Sequence, residues 1–291
     1  MNPMTIPKAD FQDLETLWFQ VSGTLCNLRC THCFISCSPD NHSLKMMETE
    51  TVVAYLEKAR RLGVREIYFT GGEPFLHPNM TLILERTLRD FPTSVLTNGL
   101  PINDARADEL QRISEDSRYS LEIRISLDDF DEEKNDAVRG KGVFRRALRA
   151  YRRLAARGLL PILTVTEIRD YLRPLESVLN PYQKYVDLLL EMEVTRPRVK
   201  IIPVFAMGML PTPDSPAFVT PTMMKDFDHS RLQCSASRMV ADDGIYACPI
   251  LVGEDKARMS QTSLEESLTP CSLYHSACTT CYLTGMTCRN Y

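Results

Sequence analysis

Short runs of β-branched, aromatic and aliphatic residues alternate with longer amphipathic segments from Leu17 to about Val204. The short runs predict buried β-strands at Leu17–Ser22, Glu66–Thr70, Ser94–Leu96, Leu121–Leu127, Ile162–Thr166 and Val199–Phe205. The amphipathic segments predict helices at Glu48–Leu62, Met80–Asp90, Asp104–Ser114, Val143–Arg157 and Leu175–Met192. Strands that alternate with helices in this way are parallel and joined by right-handed crossovers. We expect an α/β fold built as a partial (β/α)6 barrel, with a doubly wound open sheet as the alternative.

The same pattern divides the chain into four parts. Residues 1–15 precede the first strand, and residues 16–206 form the predicted barrel. Residues 207–230 are rich in proline and threonine and predict a linker, whereas residues 231–291 predict a small cysteine-rich extension. Within that extension, Asp242-Asp243-Gly244 lies between two short apolar runs, a pattern typical of a β-hairpin.

The composition is that of a globular protein without an obvious charged partner. The 291 residues include 44% hydrophobic and 25% charged residues, and the formal net charge is −4. This charge gives no reason to expect nucleic acid, and no apolar run approaches the roughly 18–20 residues that span a bilayer. The N-terminus lacks an apolar signal core. We therefore expect a cytoplasmic protein.

Polar and glycine residues follow five of the predicted strands. They are Cys26, the run Gly71-Gly72-Glu73-Pro74, the run Thr97-Asn98-Gly99, the pair Ser126 and Asp128, and the pair Thr166-Glu167. In barrels and open α/β sheets the active site lies at the carboxyl ends of the strands. The pattern predicts a site at this edge.

The first of these positions opens a tight group of thiols. Cys26, Cys30 and Cys33 have the spacing C-x3-C-x2-C, and in a cytoplasmic chain this favours a metal site over disulfides. A structural zinc or an electron-carrying Fe4S4 cluster normally takes four protein ligands. Three thiolates would instead leave one iron of a cluster open, with zinc as the alternative.

Two motifs make the chain resemble the radical S-adenosylmethionine (SAM) superfamily. The first is Cys26-Asn27-Leu28-Arg29-Cys30-Thr31-His32-Cys33, and the second, one β/α unit later, is Phe69-Thr70-Gly71-Gly72-Glu73-Pro74. The resemblance covers the barrel, roughly Thr16 to Phe205. It implies that Cys26, Cys30 and Cys33 bind a [4Fe-4S] cluster whose fourth iron is chelated by SAM. It also implies reductive cleavage of SAM to a 5′-deoxyadenosyl radical, which takes a hydrogen atom from the substrate.

The resemblance also implies which residues bind SAM. His32 stands where the family usually has an aromatic residue near the adenine, and Gly71, Gly72 and Glu73 match the run that receives the SAM amino group. Glycine suits this position because a bare backbone can approach the ligand. Ser126, Asn98 and Asp128 match polar positions near the ribose or carboxylate. For Asn98 with Gly99, a simple turn is the alternative.

The cysteines of the tail resemble the SPASM/twitch extension, which binds auxiliary [4Fe-4S] clusters. This resemblance implies one auxiliary cluster held by Cys234, Cys248, Cys278 and Cys281, with Cys288 as an alternate ligand. Zinc is the alternative because paired C-x2-C sequences also bind it. Cys37 and Cys271 have no assigned place, although Cys37 could donate a hydrogen atom near the first cluster.

Arginine and lysine crowd the segment from Arg139 to Arg157, which contains no acid. It predicts a solvated helix face, or a docking surface for a flavodoxin- or ferredoxin-type electron donor. Arg139 could instead reach a substrate carboxylate or SAM. The acidic run just before it, from Asp128 to Asp136, predicts a loop with helix-start charges.

An auxiliary cluster could accept the electron left on a substrate radical, which favours a net two-electron oxidation. Only about 16 residues precede the first strand, which we expect to be too few for a leader-binding domain. We therefore expect a small-molecule, dehydrogenase-like substrate. The alternatives are a maturase that cross-links or epimerises a ribosomal peptide, and a non-catalytic iron–sulfur or zinc scaffold.

Overall fold

The computed structural model of the protein describes residues 5–167, 176–210 and 217–285. The strands are β1 (Lys8–Ala9), β2 (Thr16–Gln20), β3 (Glu66–Thr70), β4 (Thr93–Thr97), β5 (Leu121–Leu127), β6 (Ile162–Glu167), β7 (Val199–Pro203), β8 (Ser237–Ala241), β9 (Gly244–Tyr246), β10 (Arg258–Ser260) and β11 (Cys271–Ser272). The helices are α1 (Thr49–Arg61), α2 (Met80–Thr87), α3 (Asp104–Glu115), α4 (Glu132–Arg139), α5 (Val143–Ala155), α6 (Glu176–Glu191), α7 (Pro221–Met224) and α8 (Ser276–Thr284).

The strands β2 to β7 correspond to the six predicted strands, and they lie in the sheet in the same order as in the chain. All five neighbouring pairs among them are parallel. A doubly wound sheet reverses its strand order at a switch point, whereas this sheet does not. The α/β fold with a mostly parallel sheet is therefore confirmed, and its strand order is that of a β/α barrel.

Side chains of successive residues in β2 point to two different cores. Leu17 and Phe19 pack with the helices in an outer core that also includes Val52 of α1. Trp18, between them, belongs to an inner core, where it stacks on Tyr68 of β3 with 4.2 Å between ring centroids. This alternation places one face of the sheet against the helices and leaves the other face to build the interior of the barrel.

The C-terminal strands extend this same sheet. β8 lies parallel to β2, and β9 and β10 follow as antiparallel neighbours. The predicted hairpin is confirmed, since Ala241 pairs with Gly244 across Asp242 and Asp243. The short strands β1 and β11 pair beside the sheet, so the N-terminal residues contact the cysteine-rich region. Residues 211–216 of the predicted linker and Cys288 lie outside the described residues.

Two elements differ from the prediction. The acidic run that was expected to be a loop contains α4, which begins where the Asp131 side chain accepts a hydrogen bond from the Lys134 backbone N–H at 3.1 Å. Helix α2 ends at Thr87, before the predicted Asp90. Within the described ranges, no helix is both long and apolar enough to cross a membrane.

Candidate active site

The three predicted cluster cysteines lie on the loop that follows β2 at the carboxyl edge of the sheet. The loop folds back on itself, because Cys26 N–H donates to the Ser38 carbonyl at 3.1 Å and Ser38 N–H donates to the Thr24 carbonyl at 3.2 Å. Cys26 is buried, whereas Cys30 and Cys33 are half-buried. All three line one cavity of about 170 Å³. The structure therefore brings these three thiols to the edge where the sequence predicts the active site.

Strand ends around the barrel complete this cavity. Among the predicted SAM-binding residues, its wall includes His32, Gly71, Gly72, Asn98 and Ser126. Glu73 and Asp128 do not belong to its wall. The wall also contains residues that the sequence did not single out, namely Leu28, Phe34, Ile35, Leu96, Thr164 and Phe205. The cavity thus joins polar strand ends to an apolar wall.

The two glycines that follow β3 lie against the cysteine loop. A Cβ on Gly72 would lie 2.0 Å from the Leu25 carbonyl oxygen, and a Cβ on Gly71 would lie 2.2 Å from Ser22 Oγ. The Gly72 N–H donates to the Gly23 carbonyl at 2.9 Å. The sequence predicted that glycine lets the backbone approach SAM. In the structure, glycine lets the end of β3 approach the cysteine loop.

Glu73 joins the ends of two strands. Its fully buried carboxylate accepts hydrogen bonds from Thr97 Oγ1 at 2.7 Å, Asn98 N–H at 2.8 Å and Phe75 N–H at 3.0 Å. Burial raises the pKa of Glu73 to about 7. Because three donors already occupy this carboxylate, we assign the side chain to positioning the ends of β3 and β4.

Asn98 contacts the cysteine loop as well as forming a turn. Its Nδ2 donates to Asn27 Oδ1 at 2.7 Å and lies 3.8 Å from Cys26 Sγ. Gly99 after it has a φ of +79°, as expected for the turn. The structure therefore shows the turn and a contact to the cysteine loop, and SAM binding by Asn98 stays a prediction.

Asp128 lies behind the cavity wall and pairs with two residues that form it. Its Oδ2 lies 2.6 Å from Arg139 Nε and 2.7 Å from His32 Nε2. Burial would raise the pKa of Asp128, but Arg139 and His32 hold it below its usual value. Thr31 N–H also donates to the Val138 carbonyl of α4 at 2.9 Å. Asp128 therefore fixes α4 and its Arg139 against the cysteine loop.

Burial and neighbouring groups shift the pKa values of the thiols in opposite directions. Burial raises the pKa of Cys26 to about 12 and raises the pKa of Cys30, where the charge of Arg139 opposes it. A hydrogen bond from the Cys37 thiol lowers the pKa of Cys33 to about 6, against burial. Cys37 is buried in the same cavity, and its N–H donates to Cys33 Sγ at 3.2 Å. The fourth thiol therefore contacts a predicted ligand.

These residues fit a three-thiolate cluster with an open iron. The thiols of Cys26, Cys30 and Cys33 are close enough for a charge on one to raise the pKa of another. Arg139 supplies a cation beside them. In the described part of the chain, no three His, Cys, Asp or Glu side chains converge on a single ion. In a cubane, each of the three thiolates binds a different iron, so such convergence is not required.

A second cavity is lined by five cysteines of the C-terminal region. The predicted ligands Cys234, Cys248, Cys278 and Cys281 all line it, and Cys271 joins them. The Cys271 thiol hydrogen-bonds to that of Cys234. The sequence missed this position because Cys271 reaches the cavity through the pairing of β11 with β1, more than 250 residues apart in the chain.

Most arginines predicted to form a docking surface are paired with acids of neighbouring elements. The pairs are Arg145 with Glu132 at 2.8 Å, Arg152 with Glu193 at 3.0 Å, Arg153 with Asp104 at 3.2 Å and Arg157 with Asp108 at 2.6 Å. These pairs reduce the net positive charge of the α5 face. An electron donor that docks there stays a prediction.

The family model described as the Radical SAM superfamily matches residues 21–168, about half of the chain. GTP 3′,8-cyclase of Chlorobaculum tepidum is 33% identical over 174 residues, which cover 58% of this chain and 48% of that protein. The subtilosin biosynthesis protein AlbA of Bacillus subtilis is 31% identical over 139 residues, covering 46% of this chain and 29% of AlbA. The mycofactocin maturase MftC of Mycobacterium ulcerans is 34% identical over 135 residues, covering 46% of this chain and 34% of MftC.

Among solved structures, Streptococcus suis SuiB bound to the precursor peptide SuiA superimposes with a TM-score of 0.63 at 14% identity, covering 86% of this chain and 63% of SuiB. At this identity the likeness concerns the fold alone. The chain spans about half or less of the length of the curated relatives named above.

We expect Gly72→Ala to destabilise the protein by roughly 2–3 kcal/mol, since its Cβ would overlap the Leu25 carbonyl. The same overlap displaces the loop that carries Cys26, so the variant should also bind less iron. Urea unfolding and iron analysis measure both effects. Gly63→Ala is the control, because its Cβ meets no atom within 4 Å and costs only the strain of a φ of +73°. Wild-type stability and iron content in Gly72→Ala would contradict this assignment.

The raised pKa of Glu73 predicts that its contribution to stability depends on pH. Between the ordinary value of 4.5 and the value of about 7, the folded state keeps a proton that the unfolded state releases. Stability is therefore fullest at low pH and falls by up to about 3 kcal/mol as pH rises through 7. Urea midpoints of metal-free protein at about pH 5 and about pH 8 should differ less in Glu73→Gln. An equal difference in wild type and variant would argue against this charge effect.

Proposed function

The chain belongs to the radical SAM superfamily, and we propose that it oxidatively modifies a ribosomal peptide. It is a radical SAM enzyme, and the superfamily binds a [4Fe-4S] cluster and SAM. The observation that supports radical SAM chemistry is the cavity in which Cys26, Cys30 and Cys33 meet Gly71 and Gly72 at the carboxyl edge of the sheet.

In the proposed site, Cys26, Cys30 and Cys33 would hold the cluster. His32, Gly71, Gly72, Asn98 and Ser126 border the space for SAM, and Arg139 offers its guanidinium to a carboxylate. When bound, the cluster and SAM supply reductive cleavage of SAM and removal of a hydrogen atom from a C–H bond.

The remaining residues orient this site and keep it dry. Asp128 holds His32 and Arg139 in place from behind the wall. Phe34 and Phe205 contact each other in the wall, with 6.1 Å between ring centroids, and exclude water from one side of the cavity. Exclusion of water protects a reactive species from quenching and strengthens electrostatic contacts. Glu73 positions the strand ends, and its binding of the SAM amino group stays a prediction.

We further propose that the C-terminal cavity binds an auxiliary [4Fe-4S] cluster. Cys234 and Cys248 flank the β8–β9 hairpin, and Cys278 and Cys281 lie one turn apart on α8. These four thiols match the number that a closed cluster needs. Cys271 is the fifth thiol, and its hydrogen bond to Cys234 supports a ligand sulfur. An auxiliary cluster would accept the electron that a net two-electron oxidation releases.

A peptide substrate has more support than the small molecule that the sequence led us to expect. AlbA is named for subtilosin biosynthesis, MftC is named a mycofactocin maturase, and SuiB is a fold neighbour solved with its precursor peptide. Because the chain spans only part of these relatives, the short segment before β2 does not count against a peptide. The match to GTP 3′,8-cyclase keeps a small molecule as a possible outcome of the test.

The test is anaerobic turnover of the reconstituted enzyme with SAM, dithionite and synthetic peptides encoded by short reading frames beside its gene. We expect 5′-deoxyadenosine together with a peptide that has lost two hydrogen atoms per modification, both detected by mass spectrometry. Oxidation of a small molecule with no change in any such peptide would overturn the peptide assignment.

Matched cysteine variants test the first site in the same assay. Cys30→Ala should lose about four irons per chain and all 5′-deoxyadenosine, because it removes one of three ligands. Cys37→Ser should keep the iron, since Cys37 contacts a ligand without being one. If Cys37→Ser lost as much iron as Cys30→Ala, the site would have four thiolate ligands and no open iron.

The auxiliary cluster predicts a different pattern of iron loss. Wild type should bind about eight irons per chain, and Cys278→Ala should bind about four because one ligand is gone. Cys271→Ala should keep about eight, since the other four thiols complete the cluster. Iron and sulfide analysis with zinc measured in parallel decides the outcome. If Cys271→Ala lost iron and Cys281→Ala did not, Cys271 would be a ligand in place of Cys281. If the protein bound about four irons and one zinc, the C-terminal site would be a zinc site rather than a cluster.

A further inference from the structure

Arg238 is a fully buried cation beside the C-terminal cavity. It lies on β8 with none of its surface exposed. Its Nε donates to the Ser267 carbonyl at 2.7 Å, Nη1 donates to the carbonyls of Cys234 at 2.8 Å and Ser237 at 2.7 Å, and Nη2 donates to the Thr269 carbonyl at 2.7 Å. The guanidinium also lies over the Phe11 ring, 4.2 Å from its centroid. The hydrogen-bond donors of Arg238 are therefore well satisfied.

Its positive charge is not compensated in the same way. Within the described residues, Arg238 forms no ion pair with a carboxylate, and its hydrogen-bond partners are the backbone carbonyls named above, among them that of the predicted ligand Cys234. Burial of a cation without a counter-charge costs several kcal/mol, and carbonyl dipoles offset only part of this cost. Two other buried arginines differ, since Arg139 pairs with Asp128 and Arg124 pairs with Glu122.

We infer that Arg238 is the counter-ion of an anionic thiolate–metal centre in this cavity and raises the reduction potential of that centre. The inference rests on the auxiliary cluster of the proposed function. A cluster bound by four thiolates is negatively charged and gains a further negative charge on reduction. A nearby buried cation stabilises the reduced form more than the oxidised form, and this raises the potential. A raised potential suits a centre that accepts electrons.

Arg238 also positions the ligand that it neutralises. Its hydrogen bond to the Cys234 carbonyl holds the predicted ligand Cys234 in place. Its hydrogen bonds to the carbonyls of Ser267 and Thr269 hold the segment that leads into Cys271 of β11. The Arg238 side chain thus links β8 to the backbone at Cys234 and to the segment before Cys271, which lie on two sides of the cysteine cavity. Arg238 acts through these groups and is a positioning residue.

The reduction potential can be measured without interference from the first cluster. In a chain that carries Cys26→Ala, Cys30→Ala and Cys33→Ala, a redox titration followed by electron paramagnetic resonance reports the auxiliary cluster alone. Arg238→Gln should shift its potential downward, whereas Arg238→Lys keeps the charge and should shift it less. Arg258→Gln is the control, because Arg258 lies on β10 of the same region and pairs with Asp243 at 2.7 Å. An unchanged potential in Arg238→Gln with full iron content would overturn the inference.

A stability measurement tests the counter-ion role separately. Loading with metal should raise the melting temperature of wild type more than that of Arg238→Met, since only wild type has a buried charge to neutralise. An equal rise in both proteins would count against the inference. Failure of Arg238→Lys and Arg238→Met to fold, loaded or metal-free, would show a purely structural role and would also overturn it.

The two proposals fail in different ways. If the triple variant binds zinc and no iron, the auxiliary iron–sulfur cluster is wrong. The comparison of zinc-loaded and metal-free melting temperatures then still decides whether Arg238 neutralises a thiolate centre. If the cluster is present, but neither its reduction potential nor the rise in melting temperature on metal loading depends on Arg238, only the counter-ion inference is wrong.

Discussion

Backbone contact between the end of β3 and the first cysteine loop is the constraint on which the candidate site depends. Gly72 lies so close to Leu25 that no side chain fits, and Glu73 N–H donates to the Leu25 carbonyl at 3.0 Å. The Glu73 carboxylate then fixes the next strand end, that of β4, through Thr97 and Asn98. One short segment therefore sets the position of the cysteines relative to two neighbouring strands. The rest of the cavity wall is built around this fixed corner.

The parts of the structure that local patterns determine were predictable. The strands β2 to β7 follow from apolar runs, and the cysteine loop and the glycines follow from short motifs at strand ends. The parts that were missed depend on contacts between distant residues. Asp128 turns to Arg139 and His32 only because α4 forms in a segment whose acids suggested a loop. Cys271 and Arg238 gain their roles from strand pairing, which leaves no local signal.

The parallel pairing of β8 with β2 brings the two cysteine sites to one core. The inner core contains Trp18 and Tyr68, and both Phe34 beside the first cavity and Cys248 beside the second pack against it. Packed apolar side chains, rather than solvent, therefore separate the two sites on this side. A low dielectric between two charged centres strengthens their influence on each other. This packing supports the proposal that both sites serve one reaction.

The buried arginines suggest how the protein distinguishes the two sites. At the first site, the charge of Arg139 is largely balanced by its ion pair with Asp128. At the second site, within the described residues, Arg238 donates hydrogen bonds to carbonyls and lies over the Phe11 ring, and it forms no ion pair with a carboxylate. A centre that must donate electrons gains from a low potential, and one that must accept them gains from an adjacent positive charge. If the proposed auxiliary cluster occupies the second cavity, the contrast between a paired and an unpaired cation would favour electron movement from the first cavity toward the second.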